Sequence, residues 1–354
     1  MKDYIPFDQS PAQPQSISES PALSPKLIPP SPRSSTLDTK ETTVDSLRSK
    51  SYREVMISKD LDEHSAATAV LTKLAETTGS AKLRQFNECC TSANFAIEPE
   101  TRKIRITANH CHNRWCIICQ KPRFFTVSER IEEWLKTTAR PTFITLTLKH
   151  SAAPLLFQLK SLTGAFRNFR FHKQIRAALS GGVWFLQITY NAARKEWHPH
   201  LHIAADCKYI AKRDLSEAWK KASGGSYIVD IKAIRDTSEV AKYVARYVSR
   251  PARLQDLTIE QGCEMVSSLQ GKRTFGAFGS AKGINFRPPE LDKRFRPRKL
   301  LPWSAMMNLA SHLPIAALVI SCWRTGIVLP KTEQIDKEIE IMLDLGESVH
   351  IETG

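Results

Sequence analysis

Trp197-His198-Pro199-His200-Leu201-His202-Ile203 decides how the rest of the chain is read. Three of the chain's ten histidines fall there on alternate positions. They follow a run, residues 183–190, with the apolar, aromatic and β-branched composition of a strand. In an extended chain alternate side chains share a face. His198, His200 and His202 then project together, while Leu201 and Ile203 turn into a core. Imidazoles gathered on a rigid strand form half of a metal site. The plainer alternative is a chance cluster of polar side chains.

Outward from that stretch, Phe143-Ile-Thr-Leu-Thr-Leu-Lys149 alternates apolar residues with threonine and reads as a strand. Residues 191–196 turn the 183–190 strand into the histidine strand, and 227–234 reads as a fourth. Helical periodicity covers 51–78, 124–136, 155–179, 212–222 and 238–248. Gly181-Gly182 is expected to end the third of these helices, and Pro251 to stop the last. No internal repeat is visible. Hairpin-linked strands with interspersed helices predict an α+β fold, a central antiparallel sheet flanked by helices. The expected organisation is a disordered Ser/Pro-rich tail over 1–50 and a helical, cysteine-rich, zinc-binding segment over 51–125. The sheet domain would span 126–280, with a basic linker and helical C-terminal region over 281–354.

Lys plus Arg is 51 and Asp plus Glu is 36, so the formal charge is 51 − 36 = +15. That excess favours nucleic acid over a membrane as partner. The longest apolar stretch, 313–323, is too short to cross a bilayer and contains Pro314. MKDYIPFDQS lacks the apolar core of a signal peptide, so a cytoplasmic protein is expected. In a reducing compartment cysteines serve as metal ligands or buried thiols more often than as disulfides. Cys111, Cys116 and Cys119 form a compact knuckle, with Cys89 and Cys90 upstream. One of Cys89 and Cys90 with the knuckle would close a structural Zn²⁺ shell, with His110 and His112 as substitutes. Buried free thiols are the alternative. Arg114, Lys121 and Arg123 decorate the knuckle and are candidates for phosphate contact, as is the phenylalanine- and arginine-rich helix at 166–176.

Glu239, Tyr243 and Tyr247 recur at i, i+4 and i+8 of the 238–248 helix and share a face, with Lys242 and Arg246 beside them. One reading is a packed aromatic stripe with a solvated basic edge. The other is a tyrosine nucleophile flanked by a carboxylate. A phenol with a pKa near ~10 is a poor nucleophile at neutral pH, and a divalent ion polarising a phosphate would lower its barrier.

Phe143-Ile-Thr-Leu-Thr, His200-Leu201-His202 and Glu239-Val-Ala-Lys-Tyr243 occur in an order that resembles the plasmid rolling-circle replication initiators of the HUH endonuclease superfamily. The segment 269–279 is similar to that family's tail motif, so the likeness runs over about 89–279. Similar cysteine segments precede the catalytic domain in some of these initiators. The resemblance implies that His200 and His202 bind Mg²⁺ or Mn²⁺, and that Tyr243 becomes joined to a DNA 5′-phosphate and frees a 3′-OH primer. Glu239 would activate water to end the cycle. Tyr247 is then either a second nucleophile or a packing residue. Relatives often take a third ligand, commonly glutamate, from the strand before the histidines; here Gln187 stands at that position, with His198 as the other contender. The implied partners are single- and double-stranded origin DNA and a host helicase and polymerase, and a homodimer is left open. Two rivals remain: a two-tyrosine transposase of the same chemistry, and a non-catalytic, zinc-stabilised DNA-binding regulator.

Overall fold

A computed structural model describes residues 44–249, 251–287 and 297–351. The expected tail lies outside these residues up to position 43. From residue 44 the chain runs through α1 (Val44–Arg48), α2 (Tyr52–Ile57), α3 (Leu61–Thr78) and α4 (Ala81–Asn87). The hairpin of β1 (Ala93–Ile97) and β2 (Ile104–Ala108) precedes α5 (Ile117–Thr137) and β3 (Pro141–Thr147). Next come α6 (Leu155–Phe171), α7 (Lys173–Ala178) and the long hairpin of β4 (Leu179–Asn191) and β5 (Glu196–Cys207). They are followed by α8 (Lys212–Ser223), β6 (Val229–Ala233), α9 (Thr237–Ser249), α10 (Ile259–Ser268) and β7 (Phe275–Gly279). Last are β8 (Arg298–Pro302), α11 (Trp303–Leu309), α12 (Pro314–Thr325) and α13 (Glu333–Ile351).

The central sheet has the order β6-β3-β5-β4-β7 with every pair antiparallel, so the fold is α+β as the alternation of patterns predicts. One face carries Ile144, Leu146, Leu186, Ile188, Leu201 and Ile203 into a core with Leu159 and Phe169 of α6, Trp219 of α8 and Met265 of α10. The opposite face sets Val183, Phe185 and Ala204 against Val127, Ile131 and Leu135 of α5 and Ala241, Val244 and Ala245 of α9. A sheet buried on both faces explains why 183–190 is apolar without alternation.

Two expectations shift. The helix read over 155–179 is broken at His172, whose extended backbone separates α6 from α7. Gly181-Gly182 is no helix stop; both residues lie inside β4. A Cβ on Gly182 would sit 2.7 Å from the Ala204 carbonyl oxygen, and one on Gly181 2.8 Å from that of Phe278. Close approach of neighbouring strands is what excludes a side chain there.

A second sheet, β2-β1-β8, joins the cysteine-rich segment to the C-terminal region. Its core packs Phe95 against both Trp303 and Trp323 and adds Leu47, Met306, Val319, Ile320 and Met342. Residues 51–125 and 281–354 thus share one sheet and one core.

Candidate metal and tyrosine site

The register of the central sheet builds the site. His200 lies between Thr147 of β3 and Gln187 of β4; His202 lies between Thr145 and Phe185. Directly paired residues share a face, so the alternating threonines of 143–147 stand beside the alternating histidines. Thr145 Oγ1 is 2.9 Å from His202 Nδ1, and Thr147 Oγ1 is 3.1 Å from His200 Nδ1. These hydroxyls engage the Nδ1 atom of each ring, so Nε2 is the nitrogen each ring would offer a ligand; that of His202 hydrogen-bonds Gln187 here. The Gln187 carbonyl oxygen lies 2.6 Å from His202 Nε2, and its amide nitrogen donates to the Tyr247 hydroxyl at 3.1 Å.

His202 stacks on both Phe143 and Phe185, and burial holds its pKa down to about 4. Burial, with His198, His202 and His150 nearby, takes His200 down to about 3. Both rings are therefore neutral at physiological pH, the form that binds metal. Two imidazole nitrogens and an amide oxygen fit a divalent transition ion better than one that demands oxygen ligands alone. His198, which pairs with Thr189, meets the His200 ring edge-on at 4.2 Å and stacks at 4.5 Å on His150, which the sequence reading passed over. His150 Nδ1 is 3.7 Å from Glu196.

Helix α9 lies over the same face. Asp236 Oδ1 accepts from the backbone N–H groups of Ser238 and Glu239 and caps its first turn. Tyr243 meets His202 edge-on at 6.0 Å and Tyr247 at 5.0 Å. Burial, followed by Tyr247, pushes the Tyr243 phenol above its ordinary value. Tyr247 stacks on Phe185 at 6.0 Å. Glu239 is half-buried one turn before Tyr243, and Lys242 and Arg246 are exposed on the flank.

The thiols gather at the start of α5. Sulfur-to-sulfur distances are 3.6 Å for Cys89–Cys119, 3.7 Å for Cys116–Cys89 and 3.8 Å for Cys111–Cys119. A metal–sulfur bond near 2.3 Å gives a tetrahedron with edges of about 3.8 Å, so these four sulfurs already have the dimensions of a metal-thiolate centre. Hydrogen bonds with Cys111, Cys116 and Cys119 hold the Cys89 thiol far below its usual range, and those with Cys116, Cys119 and Cys89 push Cys111 far above its own. Of the two upstream cysteines, Cys89 therefore belongs to the four-sulfur group, which can hold a metal ion; Cys90 joins Cys89 and His110 in a second group. Among the described residues these are the two gatherings of three or more close cysteine, histidine or carboxylate ligands.

The basic residues around the knuckle are engaged within the protein. Arg114 donates to the carbonyls of Leu269 and Lys272, Lys121 to that of Met56, and Arg123 lies over Phe275. They tie the knuckle to its surroundings. In the aromatic helix Phe166 and Phe169 are core residues and Arg170 covers Phe166, while Phe171 is exposed. Thr145 and Thr147 are the site residues missed in the sequence. Their signal was present, since their two-residue spacing matches that of the histidines.

The fold and site define a class: an antiparallel α+β sheet bearing paired histidines under a tyrosine helix, with a separate thiol cluster. The chain belongs to the Rep_1 family of replication proteins, whose family model matches residues 102–294. It is similar to Protein rep of Staphylococcus aureus, 26% identical over 188 residues, which are 47% of this chain and 82% of the relative. It is also similar to Protein rep of Streptococcus pneumoniae serotype 2, 23% identical over 56% of this chain and 70% of that one. With Protein rep of Bacillus amyloliquefaciens it is 25% identical over 44% of this chain, and the match spans half of that relative. No solved structure matches. Among the described residues no helix is long and apolar enough to cross a membrane.

Proposed function

We propose that the chain initiates plasmid rolling-circle replication by nicking origin DNA in the cytoplasm, with Tyr243 as nucleophile. The observation that carries this reading is the approach of Tyr243 to His202, 6.0 Å between rings, across a sheet whose histidines are neutral. His200, His202 and Gln187 would hold Mn²⁺ or Mg²⁺, which when bound polarises the scissile phosphate and offsets its growing charge. The Tyr243 oxygen bonds to phosphorus as the bond from phosphorus to the 3′ oxygen breaks. The phenol gives up its proton and the 3′ oxygen takes one up, so one ester replaces another and no water is consumed. Lys242 and Arg246 flank the helix face and hold substrate phosphates. At termination Glu239 takes a proton from the water that cleaves the phosphotyrosine link. The free 3′-OH serves a host polymerase, with a host helicase opening the duplex. Cys89, Cys111, Cys116 and Cys119 hold a structural Zn²⁺.

The nearness of Tyr247 to Tyr243, 5.0 Å between rings, keeps a second reading in play, a two-tyrosine strand transfer. The Gln187 hydrogen bond and the stack on Phe185 favour an anchoring role for Tyr247 instead. Incubation with supercoiled origin plasmid and Mn²⁺ tests both. Tyr243→Phe is expected to abolish tyrosine-linked DNA, and Tyr247→Phe to leave linkage and strand transfer in place. Undiminished linkage in Tyr243→Phe would overturn the proposal. No linkage by the intact protein would favour the non-catalytic regulator. Loss of strand transfer alone in Tyr247→Phe would favour the transposase cycle.

A further inference from the structure

The four-sulfur group leaves two metal-binding side chains beside it unused. Cys90 is buried, its sulfur 4.0 Å from that of Cys89 and 3.7 Å from His110 Nδ1. A tetrahedral ion bound by thiolate and imidazole sets sulfur–sulfur edges of about 3.8 Å and sulfur–nitrogen edges of about 3.6 Å. Both separations fall within a few tenths of an ångström of those values. Cys89, Cys90 and His110 each offer one ligand atom, all within 4.8 Å of one another. The group shares Cys89 with the first, and His110 Nδ1 also lies 3.8 Å from the Cys119 sulfur.

The backbone holds this second group in place. Cys90 adopts φ +61°, a left-handed conformation that costs a non-glycine residue about 1 kcal/mol or more. Its N–H donates to the Asn109 carbonyl at 2.8 Å, which fixes Cys90 beside the residue that precedes His110. The Asn109 side chain accepts from Ser92 N–H and donates to the Glu88 carbonyl, closing the clip. His112, two residues on, also has a positive φ, +51°. Two of the four such non-glycine residues among those described are therefore Cys90 itself and a residue two positions from His110.

We infer that the cluster holds two divalent ions of the zinc class, the second bound by Cys90, His110 and a Cys89 sulfur that bridges both. The inference rests on the tetrathiolate reading given above. It also reduces the charge to be buried: one ion among four thiolates carries 2 − 4 = −2, whereas two ions among five carry 4 − 5 = −1. His110 is exposed, so the fourth position of the second ion opens to solvent, where a water completes the shell. The second ion would tie the end of α4 to the strand-to-helix connection after β2.

The test is metal content of the full chain. Protein produced with zinc in a His200→Ala, His202→Ala background, which removes the imidazole ligands of the sheet site, then desalted and measured by elemental analysis, is expected to carry two ions per chain. His110→Ala, a change at an exposed side chain, and Cys90→Ser are each expected to carry one. In both variants the cobalt-substituted protein should keep the absorption of a tetrathiolate centre. One ion in the parent protein with that tetrathiolate spectrum overturns the second site and leaves the first standing. Two ions retained in both variants overturn it as well. Absence of bound metal overturns both readings together.

Discussion

The hydroxyls of Thr145 and Thr147 decide which nitrogen the paired histidines present. Each can donate to or accept from Nδ1, so each supports the tautomer that frees Nε2 once an ion is bound. Removing one such outer partner typically lowers metal affinity by about 10–100-fold. Thr145→Val, nearly the same shape without the hydroxyl, is expected to weaken Mn²⁺ binding in that range by titration calorimetry, with unchanged circular dichroism. Unaltered affinity would mean that the packing of Phe143 and Phe185 alone orients His202. The pH dependence belongs to the same scale. Protons compete with metal only near or below a ligand's pKa, and His200 and His202 are pushed down to about 3 and about 4. Two ordinary histidines, titrating near ~6.5, would together lose about 100-fold in affinity between pH 7.5 and 5.5. For this site the expected change over that interval is less than about threefold. A loss approaching 100-fold would show that the rings are solvated in solution.

At the level of elements, the hairpin of β4 and β5 carries both the histidines and the glycines that let the strands close. A Cβ at position 182 meets backbone, the Ala204 carbonyl oxygen, which cannot swing aside as a side chain could. Gly182→Ala is expected to cost about 1–3 kcal/mol, as overpacking does, and to lower the melting temperature by several degrees. Ala204 is two residues from His202, so metal affinity should fall with it. Wild-type stability and affinity in this variant would show that the strands can part at no cost. This hairpin also marks what the sequence could and could not reveal. Alternation in 143–149 and the spacing of His198, His200 and His202 announce strands and a shared face. Glycines 181 and 182 read as a terminator because local propensity carries no information about a strand brought in from a hundred residues later, β7. The tyrosine spacing marks a helix face but not its distance from His202, which depends on α9 packing over the sheet. Cys89 and Cys90 are alike in sequence; only the turn at φ +61° separates the sulfur that enters the four-sulfur group from the one that turns to His110.

For the molecule as a whole, the far pairing of β8 with β1 couples the C-terminal helices to the thiol cluster. Cys89 and Cys90 lie just before β1 and Cys111 just after β2, so that hairpin sets the spacing between the two halves of the ligand set. A two-stranded hairpin by itself is marginal in water. Here it is completed by β8 and covered by α11, α12 and α13, with Phe95 stacked on Trp303 at 5.5 Å. Arg102, between β1 and β2, adds an ion pair to Asp336 at 2.7 Å and a bond to the Pro330 carbonyl. The central sheet has its own two cores and takes no strand from this part. A stop after Pro297 should therefore leave the central sheet folded while it uncovers Phe95, Ile97 and Ile104. Hydrogen exchange is expected to rise sharply in β1 and β2 and little in β4 and β5. Metal bound to the cysteines should fall below one ion per chain, because the entropy of closing the ligand set is no longer offset by a fixed hairpin. Full metal content with unchanged exchange in β1 and β2 would mean that α2, α5 and the thiolates hold the segment without the C-terminal helices.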